Sequence, residues 1–287
     1  MQDRQIGDVR VTRIEEQMGP GFPAKDFFPE FEAETFAAEQ HWLAPGYYQP
    51  ESGKLMTSIH SWLVRTGQYT ILIDSCSGNH KPRPGMPRFD MLNTQYIERL
   101  REAGVQPEEI DFVMCTHLHV DHVGWNTMLV EGRWVPTFPK ARYLMGHVEF
   151  AHWTSQHERE EVSAVLADSV TPVREAGLVD LVETDHRICD EVSLAPTLGH
   201  TPGHVSVRIA SQGEEALITG DFMHHPCQIA HPEWSSTADT NPVQAGLTRE
   251  HMLTHFAEAP ILVIGTHFAG RTAGHIVRDG DAFRLVA

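Results

Sequence analysis

Four candidate metal ligands lie within six residues of the chain: the imidazoles of His117, His119 and His122 and the carboxylate of Asp121. Nitrogen and oxygen donors of this kind suit zinc or a similar first-row metal. A single turn cannot direct all four side chains at one ion, so their spacing favours two metals. The alternative is a polar surface turn, which a chain with 19 histidines could contain by chance.

The elements that must position these ligands are strands. The apolar run Ile110 to Cys115 predicts a buried strand, so the ligands would emerge where that strand ends and a loop begins. Strands that alternate with helices, with candidate ligands at the strand ends, predict a layered α/β protein whose function lies in its loops.

Hydropathy periodicity predicts the remaining elements. The predicted strands lie at 9–14, 57–64, 69–73, 141–145, 178–182, 192–196, 205–210, 215–219 and 261–264. The predicted helices lie at 31–40, 92–103, 147–177 and 248–257.

The motif His117-x-His119-x-Asp121-His122 resembles the signature of the metallo-β-lactamase superfamily. Three later segments resemble further motifs of that family and come in the family's order: Gly-His-Thr-Pro-Gly-His at 199–204, Thr-Gly-Asp at 219–221 and Gly-Thr-His at 265–267. The resemblance spans roughly Ile59 to the C-terminus, whereas the N-terminal part carries no recognisable motif. It implies an α/β fold, the four-layer αβ/βα sandwich of that family.

The resemblance also implies a dinuclear metal centre. One ion would be held by His117, His119 and His200, the other by Asp121, His122 and His267, and Asp221 would bridge the two. Family members that handle oxygen with two irons have a glutamate at the position of His119, so two zinc ions are expected here, with cobalt, manganese or iron as substitutes. A hydroxide between two such ions would attack the substrate, and Asp121 would carry a proton as a catalytic residue.

Two further side chains are expected to support the ligands rather than bind a metal. Asp74, at the end of a predicted strand, matches an aspartate that supports the metal site in the family. It would accept the N–H of a ligating imidazole and fix its tautomer. The alternative role of Asp74 is to cap a turn. His204, the second histidine of its motif, is expected to form hydrogen bonds within the turn.

The residue three positions after Asp221 bears on the substrate. Quorum-quenching lactonases of the family place a tyrosine there, where it meets the substrate carbonyl, whereas this chain has His224. A histidine can also donate a hydrogen bond, so His224 is a second candidate catalytic residue. This segment is more similar to the branch that includes methyl parathion hydrolase and related lactonase-like hydrolases.

We therefore expect a zinc hydrolase of a small ester-type substrate, namely a lactone or an aryl ester. The family also includes phosphotriesterases, thioesterases such as glyoxalase II, and nucleases. A glyoxalase II would require a basic C-terminal region, for which residues 271–275 are a poor substitute. A nuclease would require an inserted domain or a basic surface. The remaining alternative is a metal-binding protein without catalytic activity.

Residues 18–50 are rich in glycine, proline and aromatic side chains. A loop this long is usually a functional cover, an interface or disordered, and its many aromatics argue against disorder. We predict a loop insertion that forms a pocket wall or a dimer arm; the alternative is that it packs on its own domain. The candidate substrate-pocket residues in it are aromatic: Phe22, Phe27, Phe28, Trp42, Tyr47 and Tyr48.

Length and composition narrow the class of protein. A chain of 287 residues without a polar linker favours a single domain over 1–287. A formal net charge of −17 argues against nucleic acid and anionic membranes as partners. The chain shows no bilayer-spanning run and no signal peptide, and its four cysteines form no CxxC pair, so a cytoplasmic protein with reduced thiols is expected. The resemblance implies a homodimer.

Overall fold

The computed structural model describes residues 3–286 and divides the chain into two compact units. The first unit comprises the residues up to Gln17 together with Ile59–His186, and the second comprises Met18–Ser58 together with the residues from Arg187 onwards. Within residues 3–286, no helix is both long and apolar enough to cross a membrane. The single domain expected from the sequence stays a prediction.

The strands, in chain order, are β1 (Asp3–Ile6), β2 (Val9–Pro23), β3 (Tyr48–Gln49), β4 (Lys54–Arg65), β5 (Thr70–Ile73), β6 (Phe112–Cys115), β7 (Thr127–Val130), β8 (Arg133–Pro136), β9 (Arg142–Gly146), β10 (Val179–Val182), β11 (Val192–Pro196), β12 (Val205–Ser211), β13 (Glu214–Ile218), β14 (Ile261–Ile264), β15 (Ala273–Asp279) and β16 (Ala282–Val286). The helices are α1 (Ala24–Phe27), α2 (Ala33–Leu43), α3 (Tyr96–Glu102), α4 (His147–Ser155), α5 (Glu160–Val165), α6 (Thr171–Glu175), α7 (Cys227–Ala230) and α8 (Pro242–Glu258). Single turns of 3-10 helix lie at Pro107–Glu109, Gly124–Asn126 and Gly220–Phe222.

A mixed sheet organises the first unit. Its strands lie in the order β1, β2, β4, β5, β6, β9 and β10. The pairing of β3 with β4, between residues 48–49 and 54–55, lies within the second unit. The neighbours from β5 to β10 run parallel, so their carboxyl ends lie at one edge of the sheet. Strands of this kind are covered on both faces, which explains why the run before the histidine motif is apolar at nearly every position.

The core of the first unit packs side chains of this sheet against α3. Leu72, Val113 and Tyr143 are fully buried, and so are Tyr96 and Leu100 of the helix. Burial of each such aliphatic side chain contributes about 1.5–3 kcal/mol. The helix begins at Tyr96 rather than at the predicted residue 92, because only its later residues face this core.

The region 147–177, predicted as helical, is broken into α4, α5 and α6, with a π-helical turn at Leu166–Val170. That turn carries the buried Asp168, whose carboxylate accepts two bonds of 2.7 Å from the guanidinium of Arg83. The ammonium of Lys81 also contacts Asp168, and burial lowers the pKa of Lys81 to about 8. The hairpin of β7 and β8 is not predicted by the sequence pattern.

The second unit is organised by a sheet with the order β11, β12, β13, β14, β15 and β16. All neighbours are antiparallel except β13 and β14, which are parallel. The predicted strands at 192–196, 215–219 and 261–264 correspond to β11, β13 and β14, whereas the hairpin of β15 and β16 is not predicted. The buried core includes Leu217 and Val263 from the sheet and Phe256 from α8.

Residues 18–50 are not one continuous loop. They contain the end of β2, the helices α1 and α2, and β3, and the helix predicted at 31–40 corresponds to α2. The prediction also places the start of α8 too late. This helix begins at Pro242, because the side chain of Asn241 accepts the backbone N–H of Gln244 and proline suits the first helical position.

Candidate metal centre

The histidine motif of the first unit begins where β6 ends. Nε2 of His117 lies 3.0 Å from Nδ1 of His119, and the ring centroids of His117 and His122 are 3.9 Å apart. Nε2 of His122 lies 3.8 Å from Oδ1 of Asp121. His117 and His122 are buried, whereas His119 and Asp121 are partly exposed. The structure therefore brings the four candidate ligands of this unit together at the end of one strand.

Asp74, at the end of β5, holds the start of this motif. Its Oδ1 accepts the backbone N–H of Thr116 at 2.8 Å, and its Oδ2 accepts the Thr116 hydroxyl at 2.9 Å. Nδ1 of His122 lies 2.9 Å from the same Oδ2. Because a carboxylate only accepts, Nδ1 of His122 carries the proton and Nε2 presents its lone pair. Nδ1 of His117 lies 3.1 Å from the Thr116 hydroxyl, whose hydrogen goes to Asp74, so His117 also presents Nε2.

Two buried glutamates hold the segments around this motif, and nothing in the sequence marks them. Oε1 of Glu149 accepts the backbone N–H of Leu118 at 3.1 Å. Glu16 accepts the backbone N–H of Ser77 at 2.8 Å and the indole N–H of Trp125 at 2.7 Å, and burial raises the pKa of Glu16. Their partners are distant in sequence, so no local motif could reveal them.

His200 is fully buried in the second unit and contacts Asp239. Nδ1 of His200 lies 2.8 Å from Oδ1 of Asp239, so Nδ1 donates and Nε2 presents its lone pair. Burial lowers the pKa of His200 to about 4, so the ring is neutral at pH 7. Burial alone would raise the pKa of Asp239, but the hydrogen bond from His200 and the charge of Arg249 hold it well below its usual range. The sequence motifs identify neither Asp239 nor Arg249.

Asp221 follows β13 and faces three imidazoles of the same unit, those of His200, His224 and His267. Its Oδ1 lies 3.0 Å from Nε2 of His267, and its Oδ2 lies 3.6 Å from Nε2 of His200. Nδ1 of His267 lies 3.0 Å from the carbonyl of Ser58, so Nδ1 carries the proton and Nε2 does not. Nε2 of His204 accepts the backbone N–H of Asp221 at 2.7 Å, which holds the aspartate at the end of its strand.

The surroundings of Asp221 fit a bound cation. When His200 and His267 are neutral, their Nε2 atoms are acceptors, and the carboxylate oxygens they face at 3.6 and 3.0 Å are acceptors too. Such atoms repel one another unless a proton or a metal ion lies between them. Ligand atoms of a tetrahedral zinc ion are about 3.3 Å apart when the Zn–N distance is about 2.0–2.1 Å. The observed spacings are close to this value.

His224 is buried beside Asp221. Its Nε2 lies 3.3 Å from Oδ2 of Asp221, and its ring is parallel to that of His267 at a centroid distance of 6.0 Å. Neither ring nitrogen has a hydrogen-bond partner within residues 3–286. Together with His200 and Asp221, His224 forms a group that could hold a metal ion. The ring can therefore act either as a further ligand or as a donor to a bound molecule.

Three of the six aromatic pocket candidates lie around this histidine. Phe27 packs edge-on against His224 at a centroid distance of 5.2 Å, and Phe22 stacks on Phe27 at 5.2 Å. Phe22 is 43% exposed, so the stack leads from His224 to solvent. Phe28 packs edge-on against Phe27 and is fully buried in the core.

The other three candidates lie elsewhere in the second unit. Tyr48 packs against Phe36 of α2. Trp42 lies near the end of α2 and Tyr47 in the turn that follows it. Both line a cavity of about 250 Å³ whose lining does not include His224. The hydroxyl of Tyr47 donates to the carbonyl of Arg271, which also borders this cavity.

Comparison with known families identifies the class of this protein. Residues 56–275 match the family described as the metallo-beta-lactamase superfamily. Because that match covers more than half of the chain, the chain belongs to this superfamily. Its fold is accordingly the metallo-β-lactamase fold, an α/β sandwich, and members of the class depend on metal ions. The chain carries groups of histidine and aspartate side chains that could hold such ions.

Individual proteins similar to this chain include lactonases and another hydrolase of the beta-lactamase superfamily. An N-acyl homoserine lactonase from Bacillus sp. is 26% identical over 166 residues, which cover 53% of this chain and 58% of that enzyme, less than two thirds of its length. The crystal structure of hydrolase AbOPH of the beta-lactamase superfamily matches with a TM-score of 0.81 and 26% identity, over 99% of this chain and 96% of that one. AidC, a dizinc quorum-quenching lactonase, matches with a TM-score of 0.80 over the same shares, and its 18% identity shows the fold alone.

Proposed function

We propose that this protein is a dinuclear metal hydrolase that uses two zinc ions to cleave a small ester-type substrate, a lactone or an aryl ester. One observation carries the proposal: acceptors bind the Nδ1–H groups of His122, His200 and His267, so each of these imidazoles presents an Nε2 lone pair as a possible metal ligand. Family membership supports the assignment of all these ligands to one centre. In this assignment His117, His119 and His200 would hold one ion, Asp121, His122 and His267 would hold the other, and Asp221 would be a ligand of both.

Bound metal ions of this kind polarise a substrate carbonyl and make a coordinated water acidic near neutral pH. The chain's own residues move the protons. Asp121, a partly exposed carboxylate, accepts a proton from the attacking water and passes it on. His224 donates an N–H to the substrate oxygen on which negative charge develops, because neither of its ring nitrogens has another hydrogen-bond partner within residues 3–286. This is the role that the sequence motif suggests for His224.

The stacked rings of Phe27 and Phe22 receive the apolar part of the substrate. Because Phe27 packs directly against His224, a group bound on these rings lies beside the proposed donor. Aromatic faces suit an acyl chain or an aryl group better than the charged groups of glutathione. The named activity of the Bacillus relative, hydrolysis of an N-acyl homoserine lactone, supports this choice of substrate class.

The test is hydrolysis of a substrate panel by the zinc-reconstituted protein, with a chelator control for each member: an acyl-homoserine lactone, a simple γ-lactone, an aryl ester, a phosphotriester and a glutathione thioester. We expect chelator-sensitive cleavage of the lactones or the aryl ester. Turnover of the phosphotriester alone would indicate a phosphotriesterase, and turnover of the thioester alone a glyoxalase II-like enzyme. A zinc-loaded protein that is inert to all five would reject a hydrolase of these classes.

A small-molecule substrate is the partner that this proposal needs. The homodimer, the cytoplasmic location and the exclusion of nucleic acid and membrane partners stay predictions from the sequence. The choice of zinc over cobalt, manganese or iron is part of the proposal, and metal analysis of the protein purified from its native host would test it directly.

A further inference from the structure

Asp239 and Arg249 form an ion pair whose side chains are both completely buried in the second unit. Nη1 of Arg249 lies 3.4 Å from Oδ2 of Asp239. The same guanidinium makes three further hydrogen bonds: Nη1 donates to the carbonyl of Phe222 at 3.3 Å, Nε to the carbonyl of Pro232 at 2.7 Å and Nη2 to the hydroxyl of Ser235 at 2.8 Å. Arg249 is therefore fixed on several sides, and it restricts how the carboxylate of Asp239 can turn.

The two oxygens of Asp239 serve different donors. Oδ2 accepts the backbone N–H of Ser236 at 3.0 Å in addition to the contact with Arg249. Oδ1 accepts Nδ1–H of His200 at 2.8 Å. The adjoining backbone holds the same histidine, because the N–H of Thr240 donates to the carbonyl of His200 at 2.8 Å. Both the side chain and the neighbouring backbone of Asp239 thus fix His200.

We infer that Asp239, oriented by Arg249, is a positioning residue that holds His200 as the Nδ1–H tautomer and so keeps Nε2 available for a metal ion. The inference rests on the proposed function for the role of His200 as a ligand. A carboxylate behind a metal-binding histidine orients the ring and sets its tautomer. Asp239 lies outside the motifs that carry the family resemblance, so it adds a residue to the proposed centre.

The substitution Asp239→Asn gives a specific test because an amide has only one oxygen. Two donors, one of them the charged Arg249, face the Oδ2 position, so the amide oxygen is expected to occupy it. The amide NH₂ then points at Nδ1 of His200, which has to accept. The proton of the imidazole moves to Nε2, where it blocks metal binding.

The measurement is ¹⁵N NMR of the imidazole nitrogens in metal-free protein, with the His200 signals assigned by their loss in His200→Gln. We expect Nδ1–H in the wild-type protein and Nε2–H in Asp239→Asn, together with a fall in zinc affinity of roughly 10–100-fold in a chelator competition assay. A wild-type protein with Nε2–H would overturn the inference even if the variant did not fold. An unchanged tautomer or an unchanged zinc affinity in the variant would overturn it as well.

Asp168→Asn is the matched control, since Asp168 is also a buried carboxylate paired with an arginine, Arg83. It should lose stability but keep the His200 tautomer and the zinc affinity. An equal loss of zinc affinity in both variants would show a general effect of destabilisation and reject the inference. If the wild-type protein bound no metal, the proposed function would fail, while the tautomers would still decide whether Asp239 fixes His200.

Discussion

The carboxylates of Asp74 and Asp239 both accept the Nδ1–H of a buried histidine, but they divide their other donors in opposite ways. Asp74 receives His122 on Oδ2, the oxygen that also accepts a hydroxyl, and leaves Oδ1 to a single backbone N–H. Asp239 receives His200 alone on Oδ1, while its Oδ2 takes a backbone N–H and the contact from Arg249.

This difference predicts how the tautomer of each histidine responds when the carboxylate loses its charge. The oxygen of an asparagine is expected to settle where more donors face it, because an unsatisfied buried donor costs about 1–3 kcal/mol. At Asp74, the oxygen that more donors face is the one that accepts the N–H of His122. At Asp239, it is not the oxygen that accepts the N–H of His200. The same substitution should therefore preserve the tautomer of His122 and reverse that of His200.

The largest effect should come from removing one proposed ligand from each unit, Asp121 or His267. We expect Asp121→Ala and His267→Ala each to lower kcat/KM by roughly 10³-fold or more, about 4 kcal/mol of transition-state stabilisation, because either change removes a proposed metal ligand. Steady-state kinetics on the best panel substrate measure this. His157→Ala, which changes an exposed histidine, is the control. Near-normal turnover in either ligand variant, with the fold intact by circular dichroism, would reject the dinuclear mechanism.

The candidate site could be predicted from the sequence where its residues are local. The candidate ligands His117 to His122 follow one apolar strand, and Asp221 and His267, which short family motifs mark, each follow another. Asp239 could not be found in this way, because it lies in a polar loop and meets His200 only through the tertiary fold. Positioning residues of this kind carry no periodic or spacing signal.

Elements of the fold could likewise be predicted where their sequence signal is local. Strands with uninterrupted apolar runs, such as β6 and β14, lie within about two residues of their predicted positions. In the region 18–50, α2 corresponds to the helix predicted at 31–40, whereas α1 has four residues, too few to produce a helical period. The start of α8 depends on a capping bond of Asn241 rather than on hydropathy.

Two glycines provide the next test, one beside the ligands of each unit. A Cβ on Gly124 would lie 1.9 Å from the carbonyl oxygen of Ser77, and one on Gly199, whose φ is 129°, would lie 2.3 Å from the backbone nitrogen of Ala245. We expect Gly124→Ala and Gly199→Ala each to lower the free energy of unfolding by about 3 kcal/mol, because backbone atoms must move. Urea denaturation measures this.

The matched control is Gly246→Ala, since a Cβ there meets no atom closer than 3.8 Å and the residue lies inside α8. This variant should be neutral or up to about 1 kcal/mol more stable, because alanine favours helices over glycine. If Gly124→Ala or Gly199→Ala behaved like this control, the close packing beside the ligands would be wrong at that position.

His225, in the second unit, should make the free energy of unfolding depend on pH. This ring is fully buried, its Nε2–H donates to the carbonyl of Tyr47 at 2.7 Å, and burial lowers the pKa of His225 to about 4 from an ordinary value of 6.5. Between pH 6.5 and pH 4 the unfolded chain binds a proton here that the folded chain does not. The free energy of unfolding therefore falls as the pH drops through this window, and His225 adds no pH dependence above it.

At pH 5 this contribution amounts to about 2 kcal/mol. His225→Gln removes the titration, and its amide can still donate to Tyr47. Urea denaturation of metal-free protein at pH 7 and pH 5 measures how far the free energy of unfolding falls between these two values. This fall should be about 2 kcal/mol smaller in the variant than in the wild type. His157→Gln, at an exposed position, should lose as much as the wild type. Equal losses in all three proteins would contradict the burial of a neutral His225.

Asp74→Asn should give the smallest effect and the sharpest comparison with Asp239→Asn. Its amide oxygen is expected at the Oδ2 position, where His122 and the hydroxyl of Thr116 both donate, and only the Thr116 backbone N–H loses its acceptor. His122 therefore keeps Nδ1–H, and the zinc affinity should fall by no more than about tenfold, the lower end of the usual range for such partners. The ¹⁵N spectra and chelator competition used for His200 measure both quantities. A tautomer change at His122 would show that the count of donors around a carboxylate does not decide which nitrogen binds the metal.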